Sequence, residues 1–344
     1  MEFWMHGSDS SPARTTPEPS PVPDVPRRSL LRVIRAWLVS DAEVIAGKGV
    51  PDRVDMVRCI PFALLHLSCI AVIWVGVSWF AAGAAFALYL LRMFAITGFY
   101  HRYFSHRTFR TSRGFQFVMA CIGASAAQRG PLWWAGHHRH HHNHSDEPND
   151  THSPRQRGFW MAHMGWFLTP AAFSVPERLV RDWARYPELR WLDRFDWVMP
   201  AVLAGICFVT GEVASHVAPA LGTSGWQLFV WGFCISTIAT YHATYTINSL
   251  AHRYGRQRYR TGDDSRNSLL LAILTLGEGW HNNHHHFPAA TRQGFFWWEI
   301  DLTYYGLVAL SWVGLIRDLR PVPAHVLDRN RMSEEPPEQR RTAA

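Results

Sequence analysis

The chain has 344 residues, 48% of them apolar and 18% charged, and carries a formal net charge of +7. Its five cysteines (Cys59, Cys69, Cys121, Cys207, Cys234) form no C-x-x-C pair, which excludes a disulfide framework, a zinc ribbon and an iron–sulfur site. There is no internal repeat and no glycine-rich phosphate loop, and the excess of arginine is explained by membrane topology without invoking nucleic acid.

In chain order, the opening MEFWMHGSDSSPARTTPEPSPVPD is polar and proline-rich and lacks the basic-then-apolar pattern of a signal peptide. Residues 1–49 are therefore expected to be a disordered, basic tail. Ile60 to Trp79 (IPFALLHLSCIAVIWVGVSW) is an uncharged run of about the ~20 residues that a helix needs to cross a bilayer. Phe80 to Tyr100 carries only Arg92, and Trp226 to Ile247 carries no charge. The segment 197–218 is the weakest, because its apolar run meets Glu212. The pattern predicts an all-α integral membrane protein whose body, residues 50–318, has four transmembrane helices as two hairpins (60–79 with 80–100, 197–218 with 226–247) and a cytosolic helical cap. Arg92 either snorkels to the interface or faces inward, where a charge is functional by default. Phe295 to Leu315 resembles a fifth span, but Glu299 and Asp301 interrupt it, so it is read as a helix on the membrane or capping the cytosolic domain. Residues 319–344 read as a second tail.

The connectors around Ala81 and from Glu212 to Gly225 hold no Lys or Arg, whereas His101 to Phe195 and Arg253 to Arg260 are crowded with Arg. The positive-inside rule puts the crowded segments, and with them both termini, in the cytoplasm. Lys48 is the only lysine, a usage that fits a G+C-rich bacterial genome and hence a bacterial cytoplasmic membrane.

Three histidine clusters stand on that cytoplasmic side: His101 and His106 in HRYFSH, His138, His141 and His142 in HRHHH, and His281, His284 and His285 in HNNHH. Residues three and four apart share a helix face, so each of the last two clusters presents three imidazoles together. His101 and His106 are five apart, roughly 140° around an α-helix, and are expected to serve different ions or to sit where the helix ends. Asn248 and His252, at i and i+4, add one more ligand just past the last span. Nine imidazoles exceed the six positions of an octahedral ion, so two ions are implied, and imidazole suits Fe, Zn, Cu and Ni alike. Both His137/His140/His141 and His138/His141/His142 satisfy H-x-x-H-H, and spacing does not separate them. Asp146, Glu147, Asp150, Asp263, Asp264 and Glu278 are candidates to hold the outer ring nitrogens. The single histidines His66, His216 and His242 read as structural.

With these motifs in hand, the chain resembles the integral-membrane fatty acyl desaturases of the acyl-CoA Δ9 type, from about Val50 to Leu315. HRYFSH, HRHHH and GEGWHNNHHHFP match that family's three boxes, and NSLAHRYG matches the segment giving a ninth histidine. The resemblance implies two Fe ions held by His101, His106, His138, His141, His142, His252, His281, His284 and His285, with Asn248 reaching metal through water and O₂ as co-substrate. The pattern W-A-x-x-H-R-x-H-H makes His138 the first ligand of its box, leaving His137, His140 and His144 as neighbours. It further implies a kinked acyl tunnel with Gln128, Trp134 and Thr244 at the bend, and a cis double bond at Δ9. Arg129, Gly130, Gly136 and His137 depart from the polar or acidic residues of the CoA-using members, so CoA, acyl carrier protein and lipid all stay open as the carrier. The chain has no haem-binding or Cys-rich segment, so a separate ferredoxin-like or cytochrome-like donor with its reductase is expected on the arginine-rich face. A membrane di-iron hydroxylase, alkane monooxygenase or ketolase shares similar boxes and is the alternative. A metal transporter would line its spans with His or acid, and these spans hold few.

Overall fold

The computed structural model describes residues 30–40 and 53–332, which are mostly helical. Residues 1–29 and 41–52 of the expected first tail, and 333–344 of the second, lie outside the described residues. Residues 30–40 and 319–332, which the sequence reading placed in tails, contain helical segments of their own. Leu30–Leu38 is a helix (α1), in which Leu30, Leu31, Ile34 and Leu38 recur at helical spacing with Arg32 and Arg35 between them. It docks by its end: the Trp37 indole donates to the Val57 carbonyl at 3.1 Å, and the Trp197 indole donates to the Leu38 carbonyl at 2.9 Å. At the other end, a short helix Ala324–Asp328 buries Val326, and the Val326 carbonyl lies 2.9 Å from His286 Nε2.

Three helices are long and apolar enough to cross a membrane among the described residues: α2 (Met56–Val75), α3 (Trp79–Ser105) and a later helix, Val198–Val217. Asp55 caps α2 by accepting the backbone N–H of Val57 and Arg58, and Gly76 ends it at φ +66°, where only glycine is unstrained. Ser78 then caps α3. The turn therefore sits at 76–78, a few residues earlier than hydropathy placed it, because Val77, Ser78 and Trp79 continue the apolar run without continuing the helix. No residue of α2 is buried, the exposure expected of a helix solvated by hydrocarbon.

The remaining order is α4 (Arg113–Ala124), α5 (Pro131–His144), α6 (Pro187–Arg194), α7 (Val198–Val217), α8 (residues 225–249), α9 (His281–His286) and α10 (Leu302–Trp312). The expected fourth span, α8, is one continuous run with a π-helical turn over Phe229–Ile235, but it falls below the hydropathy of the other three. The cause is on its inner face, where Ser236, Thr237 and Thr240 are buried against protein.

Arg92 explains those hydroxyls. It is 1% exposed and faces inward, donating to Thr237 Oγ1 at 2.7 Å, to Ser236 Oγ, and to the Ser125 carbonyl at 3.3 Å. One guanidinium thus ties α3 to α8 and to the end of α4.

The segment with Glu299 and Asp301 is not a span. Both carboxylates are fully buried, Asp301 caps α10 by accepting the Tyr304 N–H at 2.9 Å, and α10 has only 11 residues. It packs on α3 through Thr303, whose hydroxyl meets that of Thr97 at 2.7 Å. A two-stranded antiparallel ribbon, β1 (Arg110–Thr111) with β2 (Ile316–Arg317), pins the chain after α10 against the segment after α3.

Replacing Arg92 by Met should leave buried hydroxyls and a carbonyl without a donor and cost about 2 kcal/mol. The expected result is a lowered thermal midpoint in detergent, measured by fluorescence, and an unchanged midpoint would show that the guanidinium does not join these helices.

Candidate metal centre

At Ala95 the second half of α3 changes from α- to π-helix, and it stays so through Ser105. A π-helix repeats at i to i+5, and the His106 N–H accordingly bonds the His101 carbonyl at 3.3 Å. The five-residue spacing that splays two side chains on an α-helix brings them to one side here, with the His101 and His106 ring centroids 5.0 Å apart. His101 and His106 therefore enter the same group, which corrects the expectation that they serve different ions. The helix does end at this point, with His106 as its C-cap.

The nine histidines gather as two groups, each with its ligand atoms within 4.8 Å of one another: His101, His106, His138, His142 and His284, and His141, His252, His281 and His285. The two helical triplets are each shared between them. On α5, His138 and His142 go to the first group and His141 to the second; on α9, His281 and His285 go to the second and His284 to the first. An i, i+4 pair converges while the i+3 ring leans to the neighbour, so two short helices bridge both groups. His137 instead sits 3.0 Å from the Ala172 carbonyl and His140 3.0 Å from the Asn149 carbonyl, which decides between the two registers.

Outer ring nitrogens are held by buried carboxylates. Asp150 lies 2.9 Å from His141 Nδ1, Asp146 2.9 Å from His252 Nδ1, Asp263 2.6 Å from His285 Nδ1, and Glu278 contacts His101 Nδ1. Two other candidates serve elsewhere: Glu147 pairs with His144 at the surface, and Asp264 pairs with Arg155. Burial opposes ionisation of all four carboxylates, yet the facing imidazoles and hydrogen bonds hold them below the ordinary carboxylate range. Burial also pushes His106, His138, His142, His281 and His284 well below the usual imidazole value, and His285 to about 4.

A neutral imidazole that donates its Nδ1–H to a carboxylate presents a bare lone pair at Nε2. Ring nitrogens approach one another closely: Nε2 to Nε2 is 3.0 Å for His101–His284, 2.8 Å for His284–His142, 2.8 Å for His106–His138 and 3.0 Å for His252–His281. His285 Nε2 is buried with no protein partner. Five and four imidazole nitrogens, each set within 4.8 Å, are a donor set that fits two metal ions.

A second tier of the site had no signal in local spacing. Gln293 reaches both His101 Nδ1 at 3.3 Å and Glu278 at 3.2 Å. Arg102, 1% exposed, bonds Glu278, Asp301 and the Thr291 carbonyl, joining the first box to the third. Asn282 and Asn283, between the histidines of α9, bind Tyr259 and Asn267 in the loop after α8. Their neighbours are far away in sequence, which is why the motif alone could not assign them.

An apolar cavity of about 530 Å³ runs beside α2, α5 and α8 and reaches His138 and Asn248. Gln128, Trp134 and Thr244 all line it, with Gln128 Nε2 donating to Thr244 Oγ1 at 3.1 Å and Trp134 stacked on His138 at 5.1 Å. The same Trp134, Thr244, His138 and Asn248 line a small void of about 40 Å³ against His101, His141 and His281, so the cavity abuts both histidine groups. Gly130 and Gly136 are set by packing: a Cβ would come 1.8 Å from Asp193 Oδ1 at the first and 2.0 Å from Val175 at the second. Asp193 needs that space, because it caps α5 by accepting the Leu132 and Trp133 N–H groups.

A family model described as fatty acid desaturase matches residues 77–313. An sn-1 stearoyl-lipid 9-desaturase of Anabaena variabilis is 34% identical over 272 residues, covering 78% of this chain and 94% of its own. An sn-2 palmitoyl-lipid 9-desaturase of Nostoc is 31% identical over 281 residues, covering 80% and 94%. An acyl-CoA 5-desaturase of Anemone leveillei is 34% identical over 280 residues, covering 80% and 82%. The chain belongs to the fatty acid desaturase family and is an oxidoreductase.

Proposed function

We propose that the chain is a membrane-embedded di-iron desaturase that uses O₂ to place a cis double bond at C9 of a saturated acyl chain. The carrying observation is that two groups of converging imidazole nitrogens adjoin the apolar cavity at His138 and Asn248. His101, His106, His138, His142 and His284 would hold one iron, His141, His252, His281 and His285 would hold the other, and Asn248 would reach metal through water. Bound iron and O₂ supply the oxidant that removes one hydrogen from each of two adjacent methylenes.

This chain's own residues do the rest. The carboxylates Asp146, Asp150, Asp263 and Glu278 fix ring tautomer and orientation, so each Nε2 is aimed before metal arrives. The apolar wall excludes water, while Gln128, Trp134 and Thr244 bend the acyl chain and set which carbons lie beside the histidines. Helices α2, α3, α7 and α8 serve as four spans in two hairpins, with both termini and the histidines on the cytoplasmic side of a bacterial membrane; arginine placement supports this orientation. The acyl carrier is taken as a membrane lipid: Trp37 of α1 lines the cavity, and α1 exposes Leu30, Leu31 and Ile34 beside it, the habit of a helix lying in a lipid interface. Electrons come from a separate donor and its reductase.

Lipid profiling of a host expressing the chain should reveal cis-Δ9 monounsaturated acyl groups that vanish in His284→Ala. An alcohol in their place would transfer the chain to the hydroxylase alternative, and unchanged lipids would reject both.

A second expectation concerns acid. In metal-free protein the buried rings bind fewer protons folded than unfolded, so their contribution is full above the unfolded value near 6.5 and is lost as pH falls below it. Each such ring steepens the loss by about 1.4 kcal/mol per pH unit. Thermal midpoints of chelator-treated protein should be flat from pH 8 to 7 and fall sharply from 6 to 5; a flat profile through pH 5 would contradict neutral, buried rings.

A further inference from the structure

We propose that an arginine-walled cavity of about 380 Å³ beside the π-helical part of α3 is the docking site of an acidic one-electron carrier protein, with Trp183 as the ring that passes electrons inward. The proposal rests on the desaturase reading, which requires a reductant: R–CH₂–CH₂–R′ + O₂ + 2 H⁺ + 2 e⁻ gives R–CH=CH–R′ + 2 H₂O. Two reduced carriers are oxidised for each double bond formed.

Arg107, Arg110, Arg317 and Arg320 line this cavity, and all four are exposed. The β1–β2 register sets Arg110 directly opposite Arg317, a like-charge pair that weakens the ribbon it sits in. Its neighbours compensate little: Asp182 lies 3.6 Å from Arg107 and Asp318 3.5 Å from Arg110, both solvent-screened pairs. A fold that concentrates unbalanced cations on one short ribbon presents an attractive field to an acidic surface. The small, polar interfaces of electron-transfer encounters suit a patch of this size.

Behind the arginines stands an aromatic path. Trp183 is 3% exposed, with the Arg107 guanidinium 4.8 Å over its ring and Tyr186 6.0 Å away. Its indole N–H donates at 2.7 Å to the carbonyl of Phe104, two residues before His106, and Arg139 donates to that carbonyl and to the next one, Ser105, at 2.6 and 2.8 Å. Ring contacts then continue from Trp183 to Phe104 at 5.3 Å, to Tyr100 at 6.0 Å, to Trp134 at 6.2 Å and to His138 at 5.1 Å. Tyr103, midway between His101 and His106 on the π-helix, lines the arginine cavity, which places this surface across that helix from the histidines. The arginine cavity shares no lining residue with the 530 Å³ acyl cavity, so an anionic head group bound here would not lead its chain to the histidines.

The test uses the full chain in detergent, with a plant-type [2Fe–2S] ferredoxin kept reduced by its NADPH-dependent reductase as the probe. Arg317→Glu/Arg320→Glu should raise the KM for ferredoxin about tenfold at low ionic strength and flatten its salt dependence. Iron content, the KM for acyl substrate and turnover at saturating ferredoxin should stay as in the parent, and Arg317→Lys/Arg320→Lys should restore ferredoxin KM. Trp183→Leu should slow single-turnover reduction of the iron more than Trp183→Phe does. An unchanged ferredoxin KM in a folded, iron-loaded charge-reversed variant overturns the docking site. A raised acyl KM with ferredoxin KM unchanged also overturns it, in favour of a head-group site. Should the parent chain, chemically reduced and iron-loaded, form no double bond under O₂, the desaturase reading fails first and this proposal falls with it.

Discussion

The change of helix type at Ala95 is the constraint on which the site depends. On an α-helix, His101 and His106 would diverge, and the first group would lose one of its five imidazoles. The π-helical repeat brings both rings to one side and simultaneously aims Arg102 and Tyr103 elsewhere: Arg102 into the ionic network of the third box, Tyr103 toward the arginine-lined surface. π-Helical hydrogen bonds are a rare choice, and here the turn is fully enclosed, with every residue from Ala95 to Ser105 buried. Packing by α4, α5 and α10 holds a conformation that local propensity alone would not select.

Around the two groups the protein solves an electrostatic problem in shells. Nine imidazoles are crowded where water is largely excluded, and four carboxylates held below the ordinary carboxylate range lie just outside them. Unpaired, such charges would be costly to bury; each instead accepts from an imidazole, and Glu278 and Asp301 also accept from the guanidinium of Arg102. The carboxylates are thus excluded from the inner group by being committed to the outer nitrogens. This explains why Glu278, three residues before His281, orients His101 rather than bridging metal as it would in a soluble carboxylate di-iron bundle.

The membrane part follows the same logic at lower density. Helix α2 has no buried residue and forms one wall of the apolar cavity, whereas α3 and α8 are joined by hydroxyls clustered on Arg92. Trp37 of the amphipathic α1 adds an aromatic ring to the same cavity lining.

Much of this was written in the sequence, because hydropathy and helical spacing are local. The apolar runs, the i, i+3, i+4 histidines of α5 and α9, the nine imidazoles, and six candidate carboxylates, of which Asp146, Asp150, Asp263 and Glu278 meet the clustered rings, could be named from residues alone. Local reading erred where the answer lies in partners distant along the chain. It treated HRYFSH as α-helical, although tertiary packing imposes the π-turn. It assigned Leu30–Leu38 and residues 319–332 to tails, although they dock through Trp37, Trp197 and Val326. It left Arg92 undecided between lipid and interior, and the hydroxyls that settle it stand 144 and 145 positions away. Residue type and spacing determined which atoms can bind metal; only the folded chain decided how they divide into five and four, because that division depends on how α3, α5 and α9 cross, and no local spacing encodes a crossing.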